Sequence, residues 1–108
     1  MKIRLSELAI FKLERLSEFL VSKWSIESNL KFLKKLDSKL KTIQSNPESF
    51  PESEIELGLR KCVVTKQTTV LYEIQGDIIY VLTIIDTRQD RKKIKEEIKN
   101  HIAQKALK

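Results

Sequence analysis

Leu59-Arg60-Lys61-Cys62-Val63-Val64-Thr65-Lys66, Val70-Leu71-Tyr72-Glu73-Ile74-Gln75 and Ile78-Ile79-Tyr80-Val81-Leu82-Thr83-Ile84-Ile85, with Asp86-Thr87-Arg88-Gln89-Asp90 behind them, decide the fold. Three β-rich runs separated by short gaps read as an antiparallel meander. Gly76-Asp77 is a two-residue hairpin signal, because glycine supplies the positive φ that such turns need. The earlier gap, Lys66 to Thr69, has no glycine and reads as a longer turn. Ile78 to Ile85 is apolar at nearly every position. That predicts an interior strand, covered by helices on one face and at least partly on the other.

Upstream of the meander, Lys2-Ile3-Arg4-Leu5 alternates polar and apolar, which predicts a short strand. Ser6 to Trp24 then reads as a helix. Ala9, Leu13, Leu16, Leu20 and Trp24 recur at spacings of three and four, Leu8 and Phe19 widen the stripe, and Phe11 falls off it. Ser6 is a good N-cap. Ser25 is another, opening a second helix from Ile26 to about Ser45 with the stripe Ile26, Leu30, Leu33, Leu36, Leu40 and Ile43, widened by Phe32. The tight Trp24-Ser25-Ile26 link predicts an antiparallel helical hairpin. Asn46-Pro47 stops the second helix, because proline disfavours helical backbone at the residue before it. The loop that follows is stiffened by Pro47 and Pro51, with Phe50 turned into the core and Glu48, Glu52, Glu54 and Glu56 in solvent. From Asp90, an N-cap residue, a terminal helix over about 90–107 carries a thin stripe of Ile94, Ile98, Ile102 and Ala106. So narrow a stripe needs something to lie on: its own sheet, a second protomer, or a groove later taken by a partner.

The expected fold is therefore α+β: one domain over 1–108, β-α-α-β-β-β with a C-terminal helix, a helical hairpin packed on a mostly antiparallel four-stranded sheet. A chain of 108 residues is long enough for one modest core. Its charged content of 33% against 41% hydrophobic fits a folded domain and excludes a disordered one. The longest apolar run is too short to cross a bilayer, and the N-terminal residues lack the apolar core of a signal peptide. A lone cysteine, Cys62, excludes an internal disulfide. These features point to a cytoplasmic protein with no membrane partner. The net charge of +6 favours anionic partners, nucleic acid or acidic protein.

Arg60, Lys61 and Lys66 stand at the start of the meander, Arg88 and Gln89 just past its last strand, and Tyr72 inside it. Arginines fixed at strand ends suit phosphate or acidic protein; equally, they are charges that discourage edge pairing. The lysines of the second helix form a solvated face or receive acidic residues of a partner. Cys62, among apolar neighbours, reads as inert core, and His101 as a surface residue. Asp86 and Asp90 do not suggest a metal pair, and no cofactor is expected.

The element order, Asn46-Pro47…Phe50-Pro51 after a helical hairpin, and the run Leu59-Arg60-Lys61…Tyr72…Val81-Leu82-Thr83-Ile84…Arg88-Gln89-Asp90 resemble the RelE/ParE superfamily of toxins over nearly the whole chain. These are the toxins of type II toxin–antitoxin modules in bacteria. The segment Leu59 to Thr69 is similar to ParE-type plasmid-stabilisation members. The resemblance implies a cognate antitoxin as partner and one of two activities. ParE-like members act on DNA gyrase by binding; RelE-like members cut messenger RNA on the ribosome.

Metal-free RNA cleavage needs a base for the 2′-hydroxyl, positive charge on the phosphate and an acid for the leaving oxygen. Arg60 and Arg88, with Lys61 or Lys66, supply the charge. RelE-like enzymes often carry a Tyr or His close after the last strand, and Arg88-Gln89-Asp90-Arg91-Lys92-Lys93 contains neither. Tyr72 and Tyr80 are mid-strand, and unperturbed Tyr and Lys titrate near 10. The expectation is a ParE-like, non-catalytic toxin, with Arg60, Lys61, Lys66, Tyr72, Arg88 and Gln89 as its target- or antitoxin-binding surface. The alternative is a ribosome-dependent RNA endonuclease using Arg60, Lys61, Lys66 and Arg88. A plain nucleic-acid-binding domain is a third possibility.

Overall fold

A computed structural model describes residues 1–87 and 89–106. The elements follow the expected order: β1 (Lys2–Leu5), α1 (Glu7–Lys23), α2 (Ile26–Ser45), β2 (Arg60–Thr65), β3 (Thr68–Gln75), β4 (Ile78–Asp86) and α3 (Arg91–Ala106). The strands form one sheet in the order β1-β4-β3-β2. β1 runs parallel to β4, and the other neighbours are antiparallel. The long apolar strand β4 is thus interior, as its composition requires. Gly76 turns the β3–β4 hairpin at φ +62°.

The helical hairpin covers one face of the sheet. Phe32, Leu36 and Ile43 of α2 and Ala9 of α1 pack there on Cys62, Val70, Tyr72, Ile79 and Val81. α3 covers the opposite face, where Ile94 and Ile98 meet Leu59, Leu71, Leu82 and Ile85. The terminal helix therefore lies on its own sheet. Asp90 caps it: the carboxylate accepts from the Lys92 N–H at 3.0 Å.

One extra residue in β4 makes both faces work. Leu71 pairs with Thr83 but Tyr72 pairs with Val81, so Leu82 is a bulge. Side chains alternate along a strand with a period of two, and a bulge shifts that alternation by one. Ile79 and Val81 point to the hairpin before it, and Ile84 does so after it. Leu82 and Ile85 point to α3. Ser6 anchors the bulged segment. Its N–H donates to the Val81 carbonyl at 2.9 Å, its hydroxyl donates to the Leu82 carbonyl, and its oxygen also accepts from the Ala9 N–H as the N-cap of α1.

Two expectations are corrected. The turn between β2 and β3 is only Lys66-Gln67, shortened because β2 is irregular between Val63 and Thr65 and carries the extra residue itself. Trp24, Ile26 and Leu30 were expected on the buried stripes, yet they are 73%, 62% and 54% exposed. The stripe outruns the sheet: the hairpin tip extends beyond the strands that bury Leu36 and Ile43. Phe32, expected only at the margin of its stripe, is buried in their place.

Replacing Ser6 by Ala removes the cap and leaves the buried Leu82 carbonyl without its hydroxyl. Urea denaturation should show a loss of about 2 kcal/mol.

Candidate functional site

The chain from Pro47 to Leu59 is a loop whose backbone lies along the start of β2. Ser53 N–H donates to the Leu59 carbonyl at 2.6 Å and Lys61 N–H to the Pro51 carbonyl at 2.9 Å. Three of the candidate residues hold this loop. The Arg60 guanidinium donates to the carbonyls of Phe50 (2.6 Å) and Glu48 (3.1 Å). The Lys61 ammonium binds both carboxylate oxygens of Glu54 at 2.8 and 2.9 Å, and this hydrogen bond lowers the Glu54 pKa. The Tyr72 hydroxyl donates to the Pro47 carbonyl at 2.6 Å, while its ring receives Phe50 edge-on at 6.3 Å. Phe50 therefore turns inward as its flanking prolines suggested.

Tyr72, expected on a binding surface, has no exposed area. Burial pushes its phenol up to about 12, with Arg60 acting in the opposite sense. Cys62 is also fully buried, and burial raises its thiol pKa. Arg88 lies outside the described residues.

Lys66 and Gln89 are placed differently. Both line a groove of about 1020 Å³ between the tip of the helical hairpin and the end of the sheet that carries the β2–β3 turn. Its apolar lining comes from Leu16, Phe19, Leu20 and Trp24 of the hairpin's first arm and link, Phe32 of α2 and Ile84 of β4. Its cations are Lys12 and Arg15 of α1, Lys31, Lys34 and Lys35 of α2, and Lys66. Asp86 supplies a carboxylate. Arg15 stacks over Phe11, 5.7 Å from the ring centre. The arrangement is an apolar trough with a cationic rim.

Arg60 and Lys66 stand at opposite ends of β2, roughly 20 Å apart at about 3.3 Å per residue. They do not converge on one phosphate. Neither tyrosine and no histidine lines the groove among the described residues. The sequence reading missed the contribution of α1 and the hairpin tip. Its available signal was the apolar stripe running past the point where the sheet could cover it. Among the described residues, no group of three or more His, Cys, Asp and Glu is gathered as a metal site, and no helix is long and apolar enough to cross a membrane.

The family model of the ParE toxin of the type II toxin–antitoxin system, parDE, matches residues 3–91. Among solved structures, the chain is similar to one from the chromosomal ParDE toxin–antitoxin system of P. aeruginosa. The TM-score is 0.69 at 20% identity, covering 80% of this chain and 95% of that one. It is also similar to a chain of the heterotetrameric YoeB–YefM toxin–antitoxin complex of Staphylococcus aureus, with a TM-score of 0.55 at 14% identity, covering 82% and 98%. No curated protein matches it.

The Tyr72 phenol stays protonated in the fold at a pH where an unfolded tyrosine ionises. The stability that this group contributes is thus fully present below about pH 10 and is lost as pH rises through about 12. Denaturation midpoints measured across this range should fall less steeply in Tyr72→Phe than in the parent, although the variant starts lower for want of the Pro47 bond.

Proposed function

Because the chain belongs to the ParE toxin family of type II toxin–antitoxin systems, we propose that it acts by binding a protein target, a topoisomerase of the gyrase class, and that its antitoxin neutralises it from the groove. The toxin works in the cytoplasm, where such a target resides. The antitoxin segment is an amphipathic helix. Its apolar face lies on Leu16, Phe19 and Trp24, and its carboxylates meet Lys31, Lys34, Lys35 and Lys66. Helix-in-groove docking takes this form: apolar anchors at helical spacing and a charged rim that sets orientation.

The observation that carries the reading is the division of labour among the basic side chains. Arg60 and Lys61 are bound to the chain's own loop, and Tyr72 is buried beneath it. The cations of the hairpin tip surround an apolar trough instead. Cleavage of RNA needs an acid and a base beside the cations. A phenol held near 12 under Pro47 suits neither role. Of the candidate surface, Lys66 and Gln89 belong to the proposed interface, Arg88 follows from sequence alone, and Arg60, Lys61 and Tyr72 act by holding the loop.

The purified chain should inhibit supercoiling by gyrase and leave transcripts on translating ribosomes intact. Cut messages with unaffected supercoiling would assign the RNA endonuclease instead. Trp24→Ala should weaken antitoxin binding by about tenfold or more, as an aromatic anchor does. Arg60→Ala should lower thermal stability and leave that affinity unchanged when measured on folded protein.

A further inference from the structure

Lys12 belongs to both sides of the molecule. It lines the groove on the hairpin side. Its ammonium is also 2.6 Å from Glu97 of α3, the helix on the other face of the sheet. The two residues are 85 positions apart in the chain. The Lys12 side chain is 19% exposed and that of Glu97 38%, so the pair is partly shielded and screened less than a fully exposed one.

Among the described side chains, apolar burial along α3 is confined to its first half. Ile94 and Ile98 are buried, but Ile102, one turn further, is 50% exposed. The rest of the helix is dominated by Lys and Glu. The helix also begins where the family match ends, at residue 91. It lies over Leu71, Leu82 and Ile85, with Ile94 and Ile98 buried there and Glu97 paired with Lys12. A terminal helix with apolar burial along part of its length opens ahead of the core strands.

We propose that an acidic segment entering the groove takes Lys12 from Glu97 and loosens α3, so that occupancy of one face of the sheet controls the cover on the other. This rests on the docking reading given above. A carboxylate arriving in the groove is drawn to the same ammonium that holds Glu97. If Lys12 turns inward, Glu97 loses its partner. If Lys12 stays, two carboxylates share one ammonium and repel each other. Either way α3 is held less firmly, and Leu71, Leu82 and Ile85 come within reach of a longer partner. Coupling of this kind is reciprocal: whatever frees Lys12 from α3 strengthens the groove for acid.

The single tryptophan, Trp24, stands in the groove and reports its occupancy by fluorescence. Hydrogen exchange of the α3 amides reports release. The probe is an acidic helical peptide of about 16 residues, leucines four apart with glutamates between, long enough to hold a helix. With the full chain, the peptide should shift Trp24 emission and speed α3 exchange by about fivefold, the lower end of coupling between two sites. A peptide with Gln in place of Glu, added until Trp24 responds, should leave α3 exchange unchanged. Glu97→Gln should exchange fast in α3 without peptide and bind the acidic peptide about fivefold more tightly. Glu96→Gln, the same charge change on an exposed neighbour, should do neither. A Trp24 response with unchanged or slowed α3 exchange, or equal affinity in Glu97→Gln and Glu96→Gln, overturns the coupling and leaves the docking intact. No Trp24 response to the acidic peptide overturns the docking itself, and the coupling with it.

Discussion

The bulge at Leu82 is the constraint on which the rest of the structure depends. β4 must serve two cores, and a strand with unbroken alternation would send Ile84 towards α3 and Ile85 towards the hairpin. One extra residue corrects the phase, and Ser6 holds the carbonyl that the bulge turns out of the ladder. The same serine caps α1. The direction in which the hairpin leaves the sheet is therefore tied to the residue that lets the sheet carry helices on both sides. Ile84, placed by this correction, lies in the wall of the groove.

Charge is distributed by the same logic of local need. The loop from Pro47 to Leu59 has backbone carbonyls to satisfy where it passes β2, and Arg60 and Tyr72 donate to them. Lys61 then balances Glu54 at the loop's edge. Beyond the sheet, the hairpin tip has no strand beneath it. Phe19 and Trp24 stay accessible there, and Lys31, Lys34 and Lys35 are exposed around them. Basic side chains thus serve both as an internal fastening at the loop and around an open trough.

Local signals carried most of the fold into the sequence. Ser6, Ser25 and Asp90 cap the helices that follow them, Gly76 turns a hairpin, and the i, i+3, i+4 pattern around Leu36, Leu40 and Ile43 marks the face that meets the sheet. These readings hold because each depends on neighbours within a turn or two. The site was much less legible. That Tyr72 is buried depends on Pro47, 25 residues away, and that Arg60 donates to backbone depends on the path of a loop. Periodicity tells which side of a helix is apolar but not where the covering element ends, so Trp24, Ile26 and Leu30 read as core. The groove joins α1, α2 and the β2–β3 turn, and no window of sequence contains all three.

The parallel pairing of β1 with β4 has a consequence for how the molecule comes into being. Lys2 must find Ile78 and Leu5 must find Val81, so the first strand off the ribosome waits for the last. Such long-range pairing closes late. The hairpin is able to form while synthesis continues, but the wall that Ile84 and Asp86 contribute to the trough arrives only with β4. A prematurely terminated chain therefore carries the helical hairpin without the sheet wall of the trough.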